Sequence, residues 1–263
     1  NIWLFRQLPD FFKAEVSMKG KVHSIDTFST LDGPGIRTVI FMQGCPLRCK
    51  YCHNPDTWAL NSPNAREYEA EELMELILKN RPYYRASGGG VTFSGGEPLM
   101  QHQFIKEIFH RCRQEKVSTA YDSSLYIIPS IVSDLAPLTD LVLADIKHIN
   151  SPKSHELTGA GNQFNLDNLQ LLNDNGVRIW IRYVILPGWT DKYEDLRNMA
   201  LFIRDLPMVE RIDLLPYHSM GSHKWKLLGL NYELQYIKPP SPARMQELAR
   251  VVFSISQLPV YII

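Results

Sequence analysis

Gly44-Cys45-Pro46-Leu47-Arg48-Cys49-Lys50-Tyr51-Cys52-His53-Asn54 places three of the chain's four cysteines within eight residues. Thiolates spaced C-x3-C-x2-C on one loop can each take one iron of a cubane cluster and leave the fourth iron without a protein ligand. An open coordination position of that kind distinguishes a catalytic metal site from a structural one. The rival chemistry is zinc held by Cys45, Cys49, Cys52 and His53, and the loop by itself suits both metals. Adjacent Cys52 and His53 reach two tetrahedral corners together only with difficulty, however, and a zinc knuckle gives the chain's other unusual residues no role. Iron–sulfur is the expected chemistry. Disulfide stapling is not needed in a chain of 263 residues, and a tight cluster in a cysteine-poor sequence points to a metal in a reducing compartment. The fourth cysteine, Cys112, lines up with Phe104 and Ile108 at spacing four and reads as a small buried hydrophobe.

These residues need a scaffold, and the hydrophobic pattern supplies one. Short apolar runs at 38–42, 91–93, 118–121, 141–146, 177–185 and 211–215 read as strands. Helical stripes lie between and after them: Leu73, Leu76 and Ile77; Phe104, Ile108 and Cys112; a short helix over 127–136; Leu166, Leu169 and Leu172; Leu196, Met199, Ala200 and Ile203; and Met245, Leu248 and Val252. Six alternations of strand and helix predict a parallel sheet of right-handed βαβ units. Six are too few for a closed eight-stranded barrel, so the expected fold is α/β, a partial (β/α)6 TIM-like barrel. The unusual residues all follow strand ends: the cysteines, Gly95-Gly96-Glu97, Asp122, Asp145 with Lys147, Arg182 with Val184, and His218. Barrel enzymes build their active sites at that rim.

A formal net charge of zero gives no electrostatic case for nucleic acid or an anionic membrane. No apolar run approaches the roughly 20 residues of a spanning helix. Residues 1–17 lack the pattern of a secretory signal and are expected to be an extension of unclear role, with 18–263 a single domain.

The cysteine loop, with aromatic Tyr51 before its last cysteine, resembles the radical S-adenosylmethionine (SAM) superfamily. Within it the chain resembles the activating enzymes of glycyl-radical enzymes, most closely the branch that serves pyruvate formate-lyase. The resemblance runs through Leu31-Asp32-Gly33-Pro34-Gly35-Ile36-Arg37, Ala86 to Val91, Ser94-Gly95-Gly96-Glu97, Trp180 to Val184, Pro187-Gly188-Trp189, Leu214 to His218, His223-Lys224-Trp225 and Lys238-Pro239-Pro240. It implies an oxidoreductase of anaerobic glucose metabolism. A [4Fe-4S] cluster on Cys45, Cys49 and Cys52 would cleave SAM reductively to methionine and a 5′-deoxyadenosyl radical, which takes hydrogen from a glycine Cα of the partner. The implied partners are pyruvate formate-lyase and, by analogy, reduced flavodoxin as electron donor. The implied protein is a cytoplasmic monomer.

By the same resemblance, Gly95 and Gly96, which lack Cβ and let backbone approach closely, contact the methionine end of SAM with Asp145, Ile146, Lys147 and His218. Tyr51, Cys52, His53, Asn54 and Val184 hold the adenine side. Asp122, Ser123 and Asp145 correspond to a monovalent-cation site for Na+ or K+. Asp32 and Arg182 face the glycine-bearing peptide, although Asp32 before Gly33-Pro34 also reads as a plain turn residue. One departure stands out. The family has Asp-Thr-Asn-Gly where this chain has Asp122-Ser123-Ser124-Leu125, and leucine follows glycine into positive φ only with strain, so a locally different loop path is expected. Activators of other glycyl-radical enzymes remain the alternative partner class. Many of them carry a ferredoxin-like insert needing eight more cysteines, and this chain has one left over. Outside the class, the alternative is a zinc-stabilised binding protein.

Overall fold

A computed structural model describes residues 18–263, so the expectation for residues 1–17 lies outside the described residues. Nine strands form one sheet. In chain order they are β1 (Lys19–Ser29), β2 (Arg37–Met42), β3 (Arg66–Glu69), β4 (Gly90–Gly95), β5 (Ser118–Ser123), β6 (Leu141–Asp145), β7 (Arg178–Ile185), β8 (Val209–Pro216) and β9 (Val260–Ile262). From β2 through β4 to β9 every neighbour pairs in parallel, whereas β1 runs antiparallel to β2 and β3 antiparallel to β1. Strands β3 and β9 are the two edges, so the sheet is an unclosed, partial barrel. All six expected strands are present. The antiparallel pair at one edge and a further parallel strand at the other extend the sheet beyond them.

The helices are α1 (Ala70–Lys79), α2 (Arg81–Ser87), α3 (His102–Gln114), α4 (Pro129–Leu135), α5 (Ser151–Thr158), α6 (Gln163–Asp174), α7 (Tyr193–Arg204), α8 (Ser222–Leu227) and α9 (Pro242–Ser256). Their buried faces follow the expected stripes: Leu73 and Ile77 on α1, Phe104, Ile108 and Cys112 on α3, Leu196, Met199, Ala200 and Ile203 on α7. On α6 the stripe is shifted. Asn165, Asn168, Leu169 and Leu172 are buried, while Leu166 is only partly covered. Each large apolar side chain fully removed from water contributes roughly 1.5–3 kcal/mol. Among the described residues, no helix is long and apolar enough to cross a membrane.

Strands β4 and β6 are buried on both faces, as parallel strands covered by helices must be. The interior of the barrel near the strand starts is filled by Arg37, which is fully buried. Its Nε donates to Thr92 Oγ1 at 2.6 Å and its guanidinium to Val91 O at 2.6 Å, and burial pushes its pKa down to about 10. That end is plugged; the cavity lies at the strands' C-terminal ends.

Candidate active site

A cavity of about 400 Å³ opens at that end. Its lining includes Cys45, Cys49 and Cys52 after β2, Gly95 and Gly96 at the end of β4, Asp122 on β5, Asp145 and Lys147 at β6, Arg182 and Val184 on β7, and His218 after β8. Tyr51, His53, Asn54 and Asp32 complete the set. Five strand ends and the cysteine loop, widely separated in sequence, therefore meet around one space. Two expected residues do not line it. The Ile146 side chain is in the hydrophobic core, 1% exposed, and the Ser123 hydroxyl turns away to donate to Glu97 Oε1 at 2.7 Å.

The cysteines form no disulfide. Burial pushes their thiols up, Cys45 to about 12, with Glu97 adding to the effect and Lys147 opposing it. Cys49 and Cys52 shift the same way for the same first reason. A thiolate in such a place needs a strong positive neighbour, which a metal provides. Among the described residues, no three His, Cys, Asp or Glu side chains converge where a single ion would sit. His53, the fourth ligand of the zinc alternative, has its Nε2 3.0 Å from the His218 carbonyl and its ring stacked on His218 at 4.1 Å. Trp225 on α8 donates its indole N–H to Cys52 O at 2.8 Å and bolts the loop from outside.

The cavity is rich in carboxylates. Arg182 lies 2.9 Å from Asp122 and 3.6 Å from Asp32, and pairs across the ladders with Asp145 on one side and Asp213 on the other. Burial opposes the Arg182 charge, but these carboxylates outweigh it and raise its pKa. Asp122 is pushed up to about 6 by burial, against the pull of Arg182. Asp145 and Lys147 pair at 2.6 Å. Burial works against the ammonium, yet Asp145, Tyr51 and Cys49 overcome it and keep Lys147 protonated. Asp122 Oδ1, His218 Nδ1 and Tyr51 Oη are buried with no hydrogen-bond partner. Orphaned polar atoms are costly; with Arg182 Nε, four stand around one cavity and suit a polar ligand carrying both charges.

Glycines 95 and 96 make close approach possible. A Cβ on Gly96 would lie 2.2 Å from the Gly44 carbonyl oxygen, and Gly95, at φ +107°, packs on the β2 backbone. The next residue, Glu97, is fully buried and accepts from Ser123 Oγ, from Ser124 N at 3.0 Å and Ser124 Oγ at 2.5 Å, and from Leu99 N. It ties the glycine loop to the β5 tip.

Here the structure corrects the sequence expectation. Leu125 adopts φ +54°, so the loop enters the left-handed region instead of taking another path. Its N–H donates to Ser123 Oγ at 2.8 Å, and its side chain is fully buried. Left-handed backbone costs a non-glycine residue about 1–2 kcal/mol. Stripping a buried leucine costs about 3–5 kcal/mol. Burial wins, so Leu125→Gly is expected to destabilise by roughly 2 kcal/mol in urea titration, the difference between those costs; a stabilised variant would contradict the balance.

Sequence reasoning therefore found most of the lining but missed Glu97 as a tie, the Asp122–Arg182 pair, and Asn165 beneath the rim. The available signal for Asn165 was an amide at core spacing, three residues before Asn168 and seven before Leu172.

Residues 39–200 match the sequence profile of the Radical SAM superfamily. The pyruvate formate-lyase-activating enzyme of Staphylococcus epidermidis is 43% identical over 92% of this chain and 99% of the relative; that of Staphylococcus aureus strain USA300 is 42% identical over the same shares. Among solved structures, a domain of a pyruvate formate-lyase-activating enzyme from Bacteroides vulgatus superimposes with a TM-score of 0.56 at 27% identity, covering 66% of this chain and 99% of that one. SuiB of Streptococcus suis bound to S-adenosylmethionine gives 0.62 at 19% identity, covering 84% and 48%, a likeness of fold.

Proposed function

From a chain that belongs to the radical SAM superfamily, among the pyruvate formate-lyase-activating enzymes, we infer an enzyme that installs a glycyl radical on pyruvate formate-lyase by reductive cleavage of SAM. The observation that carries this reading is the convergence of three unbridged, buried thiols with Gly95–Gly96 and the Asp145–Lys147 pair on one cavity. Cys45, Cys49 and Cys52 would hold a [4Fe-4S] cluster, which would supply the one electron that reductive cleavage of SAM requires.

The chain's own groups bind and orient. Lys147 and Asp145 offer opposite charges to the carboxylate and amino groups of the methionine end, with backbone at Gly95 and Gly96 close by and the orphaned His218 Nδ1 facing the same space. Tyr51, Cys52, His53, Asn54 and Val184 take the adenosine side, while the Ile146 N–H is spent on Arg182 O at 3.0 Å. Asp32 and Arg182 receive the glycine-bearing peptide. The excess of carboxylates favours a sulfonium and supports a Na+ or K+ beside Asp122 and Asp145, where Asp122 Oδ1 lacks a partner; the Ser123 hydroxyl is taken by Glu97. Reduced flavodoxin is the proposed donor, a cytoplasmic monomer the working form, and residues 18–263 its single domain.

The test is to mix reduced, reconstituted protein, SAM and candidate glycyl-radical enzymes, and to record electron paramagnetic resonance spectra. A glycyl-radical doublet on pyruvate formate-lyase is expected. A doublet only on another partner would move the specificity and leave the chemistry; a colourless zinc protein with no signal anywhere would sink both.

A further inference from the structure

The sheet holds Asp122 opposite Leu143 but stops one residue short of Asp145. The β5–β6 ladder ends at the pair Ser123–Ala144. Beyond it, the carbonyls of Ser124 and Asp145 both accept from one side-chain amide, Asn165 Nδ2 on α6, each at 2.9 Å. Ser124 in turn holds Glu97, the residue after Gly95–Gly96, through its N–H and hydroxyl. A single buried amide, 5% exposed, thus links three segments of the cavity rim. Asn168, one turn on and fully buried, makes a matching fork to the carbonyls of Leu125 and Ile127, farther along the same loop and away from Asp145.

We propose that Asn165 is a positioning residue that sets the spacing between the Asp122–Ser124 tip and Asp145, and through it the affinity for SAM. Asp145 lies just past the last β5–β6 pair, its carbonyl joined to that of Ser124 through the Asn165 amide, and removing the amide leaves two buried carbonyls without that donor. The tips then separate, and the groups at the methionine end lose their registration. This rests on the reading that Asp145 contacts SAM.

The experiment compares iron-loaded Asn165→Ala, Asn165→Leu, Asn168→Ala and Asp145→Asn proteins by SAM binding, by the KM and kcat of SAM cleavage, and by thermal melting. Asn165→Ala is expected to raise the SAM KM about tenfold, the loss of roughly one buried hydrogen bond, with kcat nearly unchanged. Asn168→Ala should lower the melting temperature comparably and leave KM alone. Asn165→Leu fills the same volume, so the comparison survives if the alanine protein fails to fold. If KM tracks the melting temperature across both asparagines, or stays unchanged in the Asn165 variants while Asp145→Asn weakens binding, the positioning role is wrong. If Asp145→Asn leaves SAM affinity intact, the reading of Asp145 falls and takes this inference with it.

Discussion

Replacing Cys45, Cys49 or Cys52 with alanine is expected to cut glycyl-radical formation by roughly a thousandfold or more, a modest share of the 10⁶-fold and upward that enzymes supply. The three thiols are the only cysteines on the cavity, and with one removed two of a cubane's four irons lack a protein ligand and the loop loses its cross-link. The fold should tolerate the change. Leu47, Cys49, Tyr51, Tyr217, Trp225 and their neighbours form a hydrophobic cluster of their own around the loop, and Trp225 holds the Cys52 carbonyl, not the thiol. The checks are iron content, absorption near roughly 400 nm, where a thiolate-bound cluster absorbs, and circular dichroism for the fold. Cys112→Ala provides the contrast. Its thiol is buried against Met74 Sδ at 3.8 Å, so stability falls and iron content does not. A loop variant that kept its iron and activity within tenfold would remove the cysteines from the chemistry.

Gly96→Ala is expected to have the next largest effect, a loss of roughly a hundredfold in SAM affinity. A methyl at this position would sit 2.2 Å from the Gly44 oxygen and 3.3 Å from Cys45 Cβ. The obstacle is backbone, and it cannot swing aside: the Gly44 carbonyl already accepts from Glu97 N at 2.7 Å, and Gly96 N donates to Met42 O at 3.0 Å. Relief requires the glycine loop and the first cluster ligand to move apart by about 1 Å, and a misplacement of that size costs on the order of 10² in rate or binding. Titration of SAM into iron-loaded protein measures it. Affinity within threefold of the parent, at equal iron content, would mean the cradle is looser than these contacts say.

The strands that were legible in the sequence are those buried on both faces. Leu141 to Ala144 is uninterrupted hydrocarbon because helices cover both sides. Strand β1 was not legible, because Lys19–Ser29 mixes Lys, His, Asp and Ser in a half-exposed pattern that reads as loop until β2 and β3 are seen to flank it. Strand β9 spans three residues, too few for any period. At the site, cysteines, paired glycines and isolated charges after apolar runs announce themselves by type. Glu97 and Asn165 do not. Their carboxylate and amide look like solvent-facing groups, and only the tertiary structure shows each satisfying rim backbone or hydroxyls in the interior. Leu125 misled for the opposite reason: its side chain argued against a backbone conformation that burial then enforced.

The cysteine loop is fastened mostly by residues far downstream. Lys50 binds Glu233, Cys52 O receives Trp225, His53 meets His218 O and Asn54 takes Lys224 Nζ, at sequence separations of 183, 173, 165 and 170. Contacts of such range are closed late, because their loop entropy must be overcome before they stabilise anything. A nascent chain that has emerged only as far as β5 therefore has the start of the loop tied, through Gly44 N to Thr57 O and Cys45 N to Trp58 O, but lacks the fastenings of its Lys50–Asn54 end. Metal loading at that stage meets a flexible peptide, and the pocket that shields a cluster from water exists only when the last third of the chain has folded over it. The closed form of the pocket thus depends on the C-terminal segment that folds over the loop.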